Sequence, residues 1–420
     1  MRFIQALPVA CALTVAATAG AQFRPAQSPE AAGFSARRLA RIDSLIEPLV
    51  TKGALPGVVV FIARHGQIVK YQAYGYRDTE TRAPLQRDDI FRIASQSKAI
   101  TSLAVMMLWE EGRFGLDDPI ERYIPEFANP KVLTKFNAAD SSFEAAPARR
   151  RPTIRQLLTH TAGLDYAGIG SDEFKAIYAK AGVPSGIGNN TATIGEKVRV
   201  LAKLPLKSEP GERFTYSLGV DVLGYLVELL SGMPFDRFLK TRIFDPLGMR
   251  DTWFYLPADR AGRLVALHGL DSGKVVPRHN PIFDGVDPDY PRHPGTYFSG
   301  GAGLSSSIED YARFLQLFLN GGELNGVRLL SPKTIAMMLT DQLPTLPNEF
   351  GLGFALETAA NDYQSPQSVG TFSWGGAFRT TYWADPKEGL VALLYTNTYG
   401  GNPPPVGNQF MVLTYAAMLR

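Results

Sequence analysis

The chain has few of the residues that mark specialised classes of protein. Its 420 residues include one cysteine, Cys11, which excludes a framework of intramolecular disulfides and a cysteine-rich metal site. Its charges nearly cancel, with 43 Lys and Arg against 40 Asp and Glu, so nothing points to nucleic acid or an anionic membrane as partner. After the N-terminal segment, no run of about 18 apolar residues predicts a membrane helix. What is present, 45% hydrophobic and 20% charged residues, is typical of a globular protein long enough for two lobes.

The first 21 residues have the pattern of a secretory signal peptide. A positive start at Met1-Arg2 precedes a short apolar stretch over residues 6–17 and an Ala-x-Ala ending at Ala21. A buried N-terminal helix is the alternative, but the stretch has almost no polar residue on any face. We predict cleavage after Ala21, a mature chain without cysteine, and a location in the periplasm or outside the cell.

Strand patterns at both ends of the chain enclose a middle that is rich in helical patterns. Beta-branched runs at 57–62 and 68–71 predict a hairpin, and three more strands are predicted at 369–374, 378–383 and 390–396. Apolar periodicity predicts helices at 35–50, from Ser95 to Gly112, at 220–230, at 311–319 and at 406–419. We therefore predict an α/β (α+β) fold with one central antiparallel sheet flanked by helices, formed by residues 22–92 and 300–420, and a mainly helical inserted domain over 93–299.

A candidate nucleophile lies at the start of the long apolar helix. The chain contains no Gly-x-Ser-x-Gly, the signature of a large class of serine hydrolases, but has one Ser-x-x-Lys, from Ser95 to Lys98. The helix dipole would place its positive end at Ser95, with Lys98 one turn later on the same face. A buried lysine is costly unless it is paired or used. Activation of Ser95 by Lys98 is one interpretation, and a serine N-cap followed by a solvent-facing lysine is the other.

Five segments, in this order along the chain, resemble the serine beta-lactamase and penicillin-binding-protein superfamily. The resemblance is narrower to its esterase branch, the family VIII carboxylesterases. The matching segments are residues 91–98, 156–164, 210–217, 300–304 and 374–377. The resemblance implies a beta-lactamase-like fold.

The resemblance also implies a catalytic centre of Ser95, Lys98 and Tyr216. Ser95 would accept the acyl group, with Lys98 as its partner and Tyr216 as the general base. Because a tyrosine titrates near 10 in water, Tyr216 needs a nearby cation, which Lys98 is well placed to supply. The oxyanion hole would consist of the backbone N–H groups of Ser95 and Ala377, and no metal or cofactor is implied.

Two departures from the superfamily motifs favour neutral esters over lactams. Beta-lactamases and peptidases usually have Tyr-x-Asn where this chain has Leu218 in the third position, and leucine lacks the amide that pairs with an amide substrate. Trp374 stands where the third motif usually has a lysine, so an apolar wall replaces a cation. The predicted substrate-binding residues are Leu218, Trp374, Gly375 and Gly376.

Two other residues qualify this interpretation. Under strand alternation Arg379 shares a face with Ala377 and would restore carboxylate binding, although an outward-facing surface arginine is the simpler interpretation. His160 would suit a Ser-His-Asp triad, but no matching pentapeptide accompanies it, and a structural role is favoured.

The sequence as a whole predicts an exported serine esterase that acts on a small-molecule ester with a short- to medium-chain acyl group. Acyl transfer to another alcohol is possible through the same intermediate. A beta-lactamase or D-amino-acid peptidase is the first alternative, and a low-turnover penicillin-binding protein the second. We expect no nucleic-acid partner and no stable membrane insertion, and favour a monomer while leaving the oligomeric state open.

Overall fold

A computed structural model describes residues 23–188, 191–271, 274–283, 285–401 and 404–419. Cys11 and the predicted signal peptide lie outside these residues. The strands are β1 (Arg24–Pro25), β2 (Gly57–Arg64), β3 (Gln67–Asp78), β4 (Ala83–Pro84), β5 (Ile90–Arg92), β6 (Lys131–Asn137), β7 (Ser142–Pro147), β8 (Thr252–Trp253), β9 (His268–Asp271), β10 (Lys274–Pro277), β11 (Ser305–Ser307), β12 (Glu323–Leu324), β13 (Val327–Arg328), β14 (Ala355–Leu356), β15 (Phe372–Gly376), β16 (Thr380–Asp385) and β17 (Leu390–Tyr395).

The helices are α1 (Ala36–Thr51), α2 (Ser97–Glu110), α3 (Ile154–Leu158), α4 (Asp172–Lys180), α5 (Ile194–Leu201), α6 (Gly219–Ser231), α7 (Phe235–Leu239), α8 (Asp245–Leu247), α9 (Ala258–Ala261), α10 (Ile308–Leu319), α11 (Pro332–Met338) and α12 (Val406–Ala416). Short 3-10 helices lie at Ala94–Gln96, Ile120–Arg122, Pro125–Phe127, Tyr290–Arg292 and Asp362–Gln364, and a π-helical turn spans Lys240–Phe244. Among the described helices, none combines the length and the apolar character that a membrane crossing demands.

Strands from both ends of the chain form the central sheet. Its order is β1-β3-β2-β17-β16-β15-β14, with β4 paired to β3. The pairs are antiparallel except that β1 runs parallel to β3. The predicted mixed α/β fold with a central sheet flanked by helices is confirmed. The parallel edge is the one departure, because β1 reaches β3 after the long excursion through α1 and not through a hairpin.

The turn between β2 and β3 shows why the first hairpin could be predicted from the sequence. His65 and Gly66 have φ angles of 50° and 74°, both in the left-handed region. Two such residues form the tight connection whose twist matches that of paired strands. The hairpin at 57–62 and 68–71 is confirmed, with longer strands than predicted.

Helices cover both faces of the sheet, which explains why β2 is continuously apolar. Val59 and Phe61 belong to the core cluster that also contains residues of α2 and α10. Val58 and Val60 alternate with them and belong to the cluster that contains α1 and α12. A strand buried on both sides reads as an unbroken apolar run rather than as alternation.

Helix α2 is the buried centre of the larger cluster. Every residue from Ser97 to Leu108 is buried, and α6 packs against the helix. The predicted start at Ser95 is too early, because Ala94–Gln96 form a 3-10 turn before the α-helix begins. Gly112, with φ of 71°, follows the helix as predicted.

Two other segments differ from the sequence prediction. The middle of the chain contains the hairpin of β6 and β7, where helices and loops were expected. Strand β16 begins at Thr380 and not at Phe378. The cause is a tight turn in which the Arg379 N–H donates to the Gly376 carbonyl at 2.9 Å.

Arg92, wholly buried at the end of β5, joins three separate segments of the chain. Its guanidinium donates to the carbonyls of Pro288 at 2.8 Å and Val265 at 2.6 Å, and to Asp289 at 3.0 Å. Its backbone N–H donates to the Asn397 side chain at 3.0 Å. The arginine therefore anchors the strand that leads directly into the Ser95 turn.

We predict that Arg92→Met lowers the free energy of unfolding by about 2–4 kcal/mol, because buried carbonyls and Asp289 lose their donor. Urea denaturation followed by circular dichroism measures the change. Arg122→Met is the matched control, since the Arg122 side chain is 62% exposed and its ion pair with Asp118 is worth under about 1 kcal/mol. Equal effects of the two substitutions would contradict the anchoring role.

Candidate active site

Ser95 and Lys98 come together at the junction of the 3-10 turn and α2. The Lys98 Nζ lies 3.4 Å from the Ser95 Oγ. Ala94, directly before the serine, has φ of 42°, a conformation that costs energy for a residue with a side chain. Strain of this kind is concentrated at functional sites, and here it lies in the turn Ala94–Gln96 that carries Ser95.

The Lys98 side chain is buried, so the solvent-facing interpretation is wrong. Its Nζ donates to the Gly301 carbonyl at 2.7 Å and lies 3.4 Å from the Tyr166 hydroxyl. It also stands over the Tyr216 ring, 4.5 Å from the ring centroid. Within the described residues no carboxylate pairs directly with this ammonium, and its partners are a carbonyl, hydroxyls and aromatic faces.

Asp221, on the first turn of α6, supports the carbonyl that holds Lys98. Its Oδ1 accepts from the Gly301 N–H at 2.9 Å and from the Ser299 hydroxyl at 2.7 Å. Its Oδ2 accepts from the Tyr297 hydroxyl at 3.4 Å. Burial raises the pKa of the Asp221 carboxyl, and the hydrogen bonds and the Lys98 charge oppose that rise. Because every partner is a donor, the carboxylate is the form that these contacts fit.

Tyr216 lies beside Lys98 in a layer of aromatic rings. Its ring stacks on Tyr166 with centroids 5.5 Å apart, and lies 4.7 Å from His160 and 5.6 Å from Trp374. The Tyr216 hydroxyl is buried and has no hydrogen-bond partner among the described residues. The Tyr216 ring thus lies against Lys98, and its hydroxyl is available to hydrogen-bond with a group outside the described structure.

Tyr166 is a neighbour of the site that sequence reasoning missed. Its hydroxyl contacts Lys98, and burial together with Tyr216 and Asp221 raises the pKa of Tyr166 well above its usual value. The residue follows the second family-like segment by two positions, so its place in the sequence was a usable signal. A tyrosine with such a pKa is suited to donate a hydrogen bond and not to accept a proton.

His160 has a packing position and not a triad geometry. Its ring contacts Phe214, Tyr216 and Phe350, and its Nδ1 accepts from the Ser217 N–H at 3.3 Å. Burial holds the pKa of His160 well below its usual range, and the Lys98 charge lowers it further. The imidazole is therefore neutral and oriented by the backbone of the Tyr216 segment.

Gly375 and Gly376 stand where the superfamily has its third motif. The glycine at position 376 allows the end of β15 to pack closely on the chain just before Ser95. Residues 374–376 end β15, and a Cβ on Gly376 would stand 2.3 Å from the carbonyl oxygen of Ile93. Only glycine lets the strand approach so closely. Ala377 follows in the turn and lines the same cavity as Ser95. Within the described residues, the backbone N–H groups of Ser95 and Ala377 donate no hydrogen bond.

None of the four predicted substrate-binding residues lines this cavity as the structure describes it, and neither does Arg379. The four are Leu218, Trp374, Gly375 and Gly376. Leu218 is 2% exposed and packs in the core at the start of α6. Arg379 is exposed, and its guanidinium donates to the Gly401 carbonyl at 3.3 Å. Residues 377–379 form a turn, so the strand alternation that would give Arg379 and Ala377 a common face does not apply here.

Apolar side chains surround the space next to Ser95. Ile169, Ile187, Phe283 and Ala302 line this cavity together with Tyr166. A serine next to a buried lysine, opening on an apolar cavity, is an arrangement typical of serine hydrolases.

Comparison with known proteins identifies the family. The beta-lactamase family model matches residues 42–416, so the chain belongs to the beta-lactamase family. The chain is similar to esterase EstB from Burkholderia gladioli, with 34% identity over 405 residues that cover 90% of this chain and 95% of EstB. It is also similar to lovastatin esterase from Penicillium rubens, with 28% identity over 387 residues, 84% of this chain and 91% of that protein.

A solved structure gives the same result. EstCE1, described as a hydrolase with promiscuous acyltransferase activity, aligns with a TM-score of 0.78 and 28% identity, covering 91% of this chain and 99% of EstCE1. The chain is thus a serine hydrolase of the beta-lactamase family with esterase relatives. The resemblance seen in the sequence is confirmed.

We predict that Asp221→Asn lowers kcat/KM for an ester roughly tenfold or more, because the amide keeps the acceptor but removes the charge that faces Lys98. Steady-state kinetics beside thermal unfolding measures both effects. Asp310→Asn is the control: Asp310 is equally buried but bonds to Asp251 and Thr252, outside the site. Similar losses in the two variants would show that any buried carboxylate has this effect.

Proposed function

We propose that the protein is a carboxylesterase that hydrolyses neutral esters through an acyl-enzyme on Ser95. The observation that carries the proposal is the buried Lys98 ammonium, fixed by the Gly301 carbonyl and within 3.4 Å of the Ser95 hydroxyl. Catalytic hydrogen bonds of this length in an unliganded site shorten when substrate binds. No metal or cofactor enters the proposed reaction.

In the acylation step the Ser95 Oγ forms a bond to the ester carbonyl carbon while its proton passes to a base. The carbonyl reforms as the bond to the alcohol oxygen breaks, and the alcohol takes that proton. Water then repeats the sequence on the acyl-enzyme and releases the acid. If a second alcohol attacks in place of water, the product is a new ester, which agrees with the acyltransferase activity described for EstCE1.

We assign the base to Tyr216 and a supporting role to Tyr166. The raised pKa of Tyr166 opposes formation of its phenolate. Tyr216 has its ring against the Lys98 ammonium, and its hydroxyl is not engaged by another group in the described structure. Lys98 then acts as the cation that both Ser95 and Tyr216 need.

The backbone N–H groups of Ser95 and Ala377 are the proposed oxyanion hole. Both residues line the cavity, and neither N–H donates elsewhere in the described part of the chain. A donor so placed is typically worth about 3 kcal/mol of barrier.

The surroundings support esters in preference to beta-lactams. Trp374 packs beside Tyr216 where the superfamily has a cation, and the cavity walls are apolar. Arg379 is engaged by the Gly401 carbonyl. We propose short- to medium-chain acyl groups as substrates. Assignment to family VIII, export after cleavage at Ala21 and a monomeric state stay predictions from the sequence.

We predict turnover of p-nitrophenyl acetate, butyrate and octanoate with little turnover of nitrocefin, and loss of ester hydrolysis in Ser95→Ala because the acyl acceptor is absent. Absorbance assays measure both reactions. Ser102→Ala is the matched control, a buried serine on α2, seven residues after Ser95, whose hydroxyl has no hydrogen-bond partner in the described structure. Faster turnover of nitrocefin than of the esters would favour the beta-lactamase alternative, and no turnover of either would favour a penicillin-binding protein.

We predict that Tyr216→Phe lowers kcat by roughly a hundredfold or more, since the general base is lost. Tyr166→Phe removes only a hydroxyl that contacts Lys98 and should cost less than about tenfold. Both variants keep the aromatic ring and its stacking. The reverse order of effects would reassign the base to Tyr166.

A further inference from the structure

Ser185 is a polar residue, outside the proposed catalytic group, in the wall of the cavity next to Ser95. The residue is 7% exposed, and its hydroxyl is buried without a hydrogen-bond partner among the described residues. The side chains around it on the wall, Ile169, Ile187 and Phe283, are apolar. A buried hydroxyl is costly when it lacks a partner, so its position in a substrate cavity points to a polar group of the ligand.

The segment that carries Ser185 runs close to the network around Asp221. Gly186 has φ of 96°, and a Cβ there would stand 3.1 Å from the Asp221 Oδ2 and 3.2 Å from the Ser299 hydroxyl. The chain thus passes directly over the network that supports the carbonyl partner of Lys98. Ser185, the residue before Gly186, therefore lies close both to this network and to the cavity that Ser95 lines.

Ser185 also stands where the narrow cavity meets a wider one. The second cavity has a volume of about 590 Å³ and shares Ser185 and Ile187 with the first. Its other walls include Ala167, Val183 and Val286. A substrate that extends from Ser95 into the wider space passes Ser185.

The positions of the catalytic groups identify the part of the substrate that enters this space. In the proposed mechanism Tyr216 returns the proton to the departing alcohol, so the alcohol leaves on the side of Tyr216 and Trp374. Neither residue lines the cavity that contains Ser185, as far as the described residues define it. The acyl chain is therefore the part that faces Ser185.

We propose that Ser185 determines acyl specificity by hydrogen bonding to a hydroxyl or carbonyl group on the acyl chain, so that esters of hydroxy and oxo acids are the preferred substrates. This inference rests on the proposed esterase function. A site that hydrogen-bonds a substrate group discriminates strongly against the analogue without that group, whereas an apolar pocket discriminates weakly.

The test compares matched ester pairs: ethyl 3-hydroxybutyrate with ethyl butyrate, and ethyl 4-oxopentanoate with ethyl pentanoate. Acid release in a pH-stat gives kcat/KM for each. In the wild type we expect at least one pair to favour the oxygenated member by roughly tenfold or more. In Ser185→Ala that ratio should fall to about one, because kcat/KM falls more for the oxygenated ester than for the plain ester.

Ser208→Ala is the control, because the Ser208 hydroxyl is equally buried and unpartnered in the described structure but does not line the cavity. Its ratios should match the wild type. Ratios near one in the wild type, or unchanged ratios in Ser185→Ala, would overturn the role of Ser185 while leaving the esterase proposal intact. This result is expected if the Ser185 hydroxyl bonds to an ordered water and not to the substrate. Hydrolysis of none of the four esters would overturn the esterase proposal and this inference together.

Discussion

The arrangement of the site depends on how one buried ammonium is accommodated. Lys98 sits inside a helix whose residues are buried for three turns, where an isolated charge is very unfavourable. The fold compensates with the Gly301 carbonyl and two aromatic faces, those of Tyr166 and Tyr216. The Asp221 carboxylate binds the N–H of the same glycine. Because Asp221 binds the N–H of Gly301 while Lys98 binds the carbonyl of the same residue, the carboxylate forms no direct ion pair with the ammonium. The ammonium keeps its remaining contacts for the Ser95 side.

That constraint connects distant parts of the chain. The lysine comes from α2, its carbonyl partner from the segment before β11, and the supporting carboxylate from α6. The glycine-rich end of β15 approaches the same turn and places Ala377 at the cavity. The central sheet thus supplies one wall of the site, and the helical region supplies the charges and the aromatic layer.

The sequence was informative where function depends on local motifs. Ser95 and Lys98 could be named because they form a Ser-x-x-Lys at the start of a helix, and Tyr216 because its segment resembles a motif of the superfamily. The structure places both Ser95 and Tyr216 next to Lys98. Asp221 and Ser185 could not, since their roles come from contacts across the fold that no spacing encodes. Tyr166 was missed although it follows the second matching segment by two positions. Arg379 shows the opposite error: alternation was assumed for a strand, but the backbone turns at residues 377–379 and removes the common face with Ala377.

Direct observation of the covalent intermediate is the decisive measurement. The protein would be mixed with p-nitrophenyl butyrate, quenched in acid within the first turnovers, digested and examined by mass spectrometry. A butyryl group on the peptide that contains Ser95, localised by fragmentation to that serine and absent after prolonged incubation, is the expected result. Ester turnover with no acylated peptide, or with the acyl group on another residue, would contradict the assignment of Ser95 as the nucleophile.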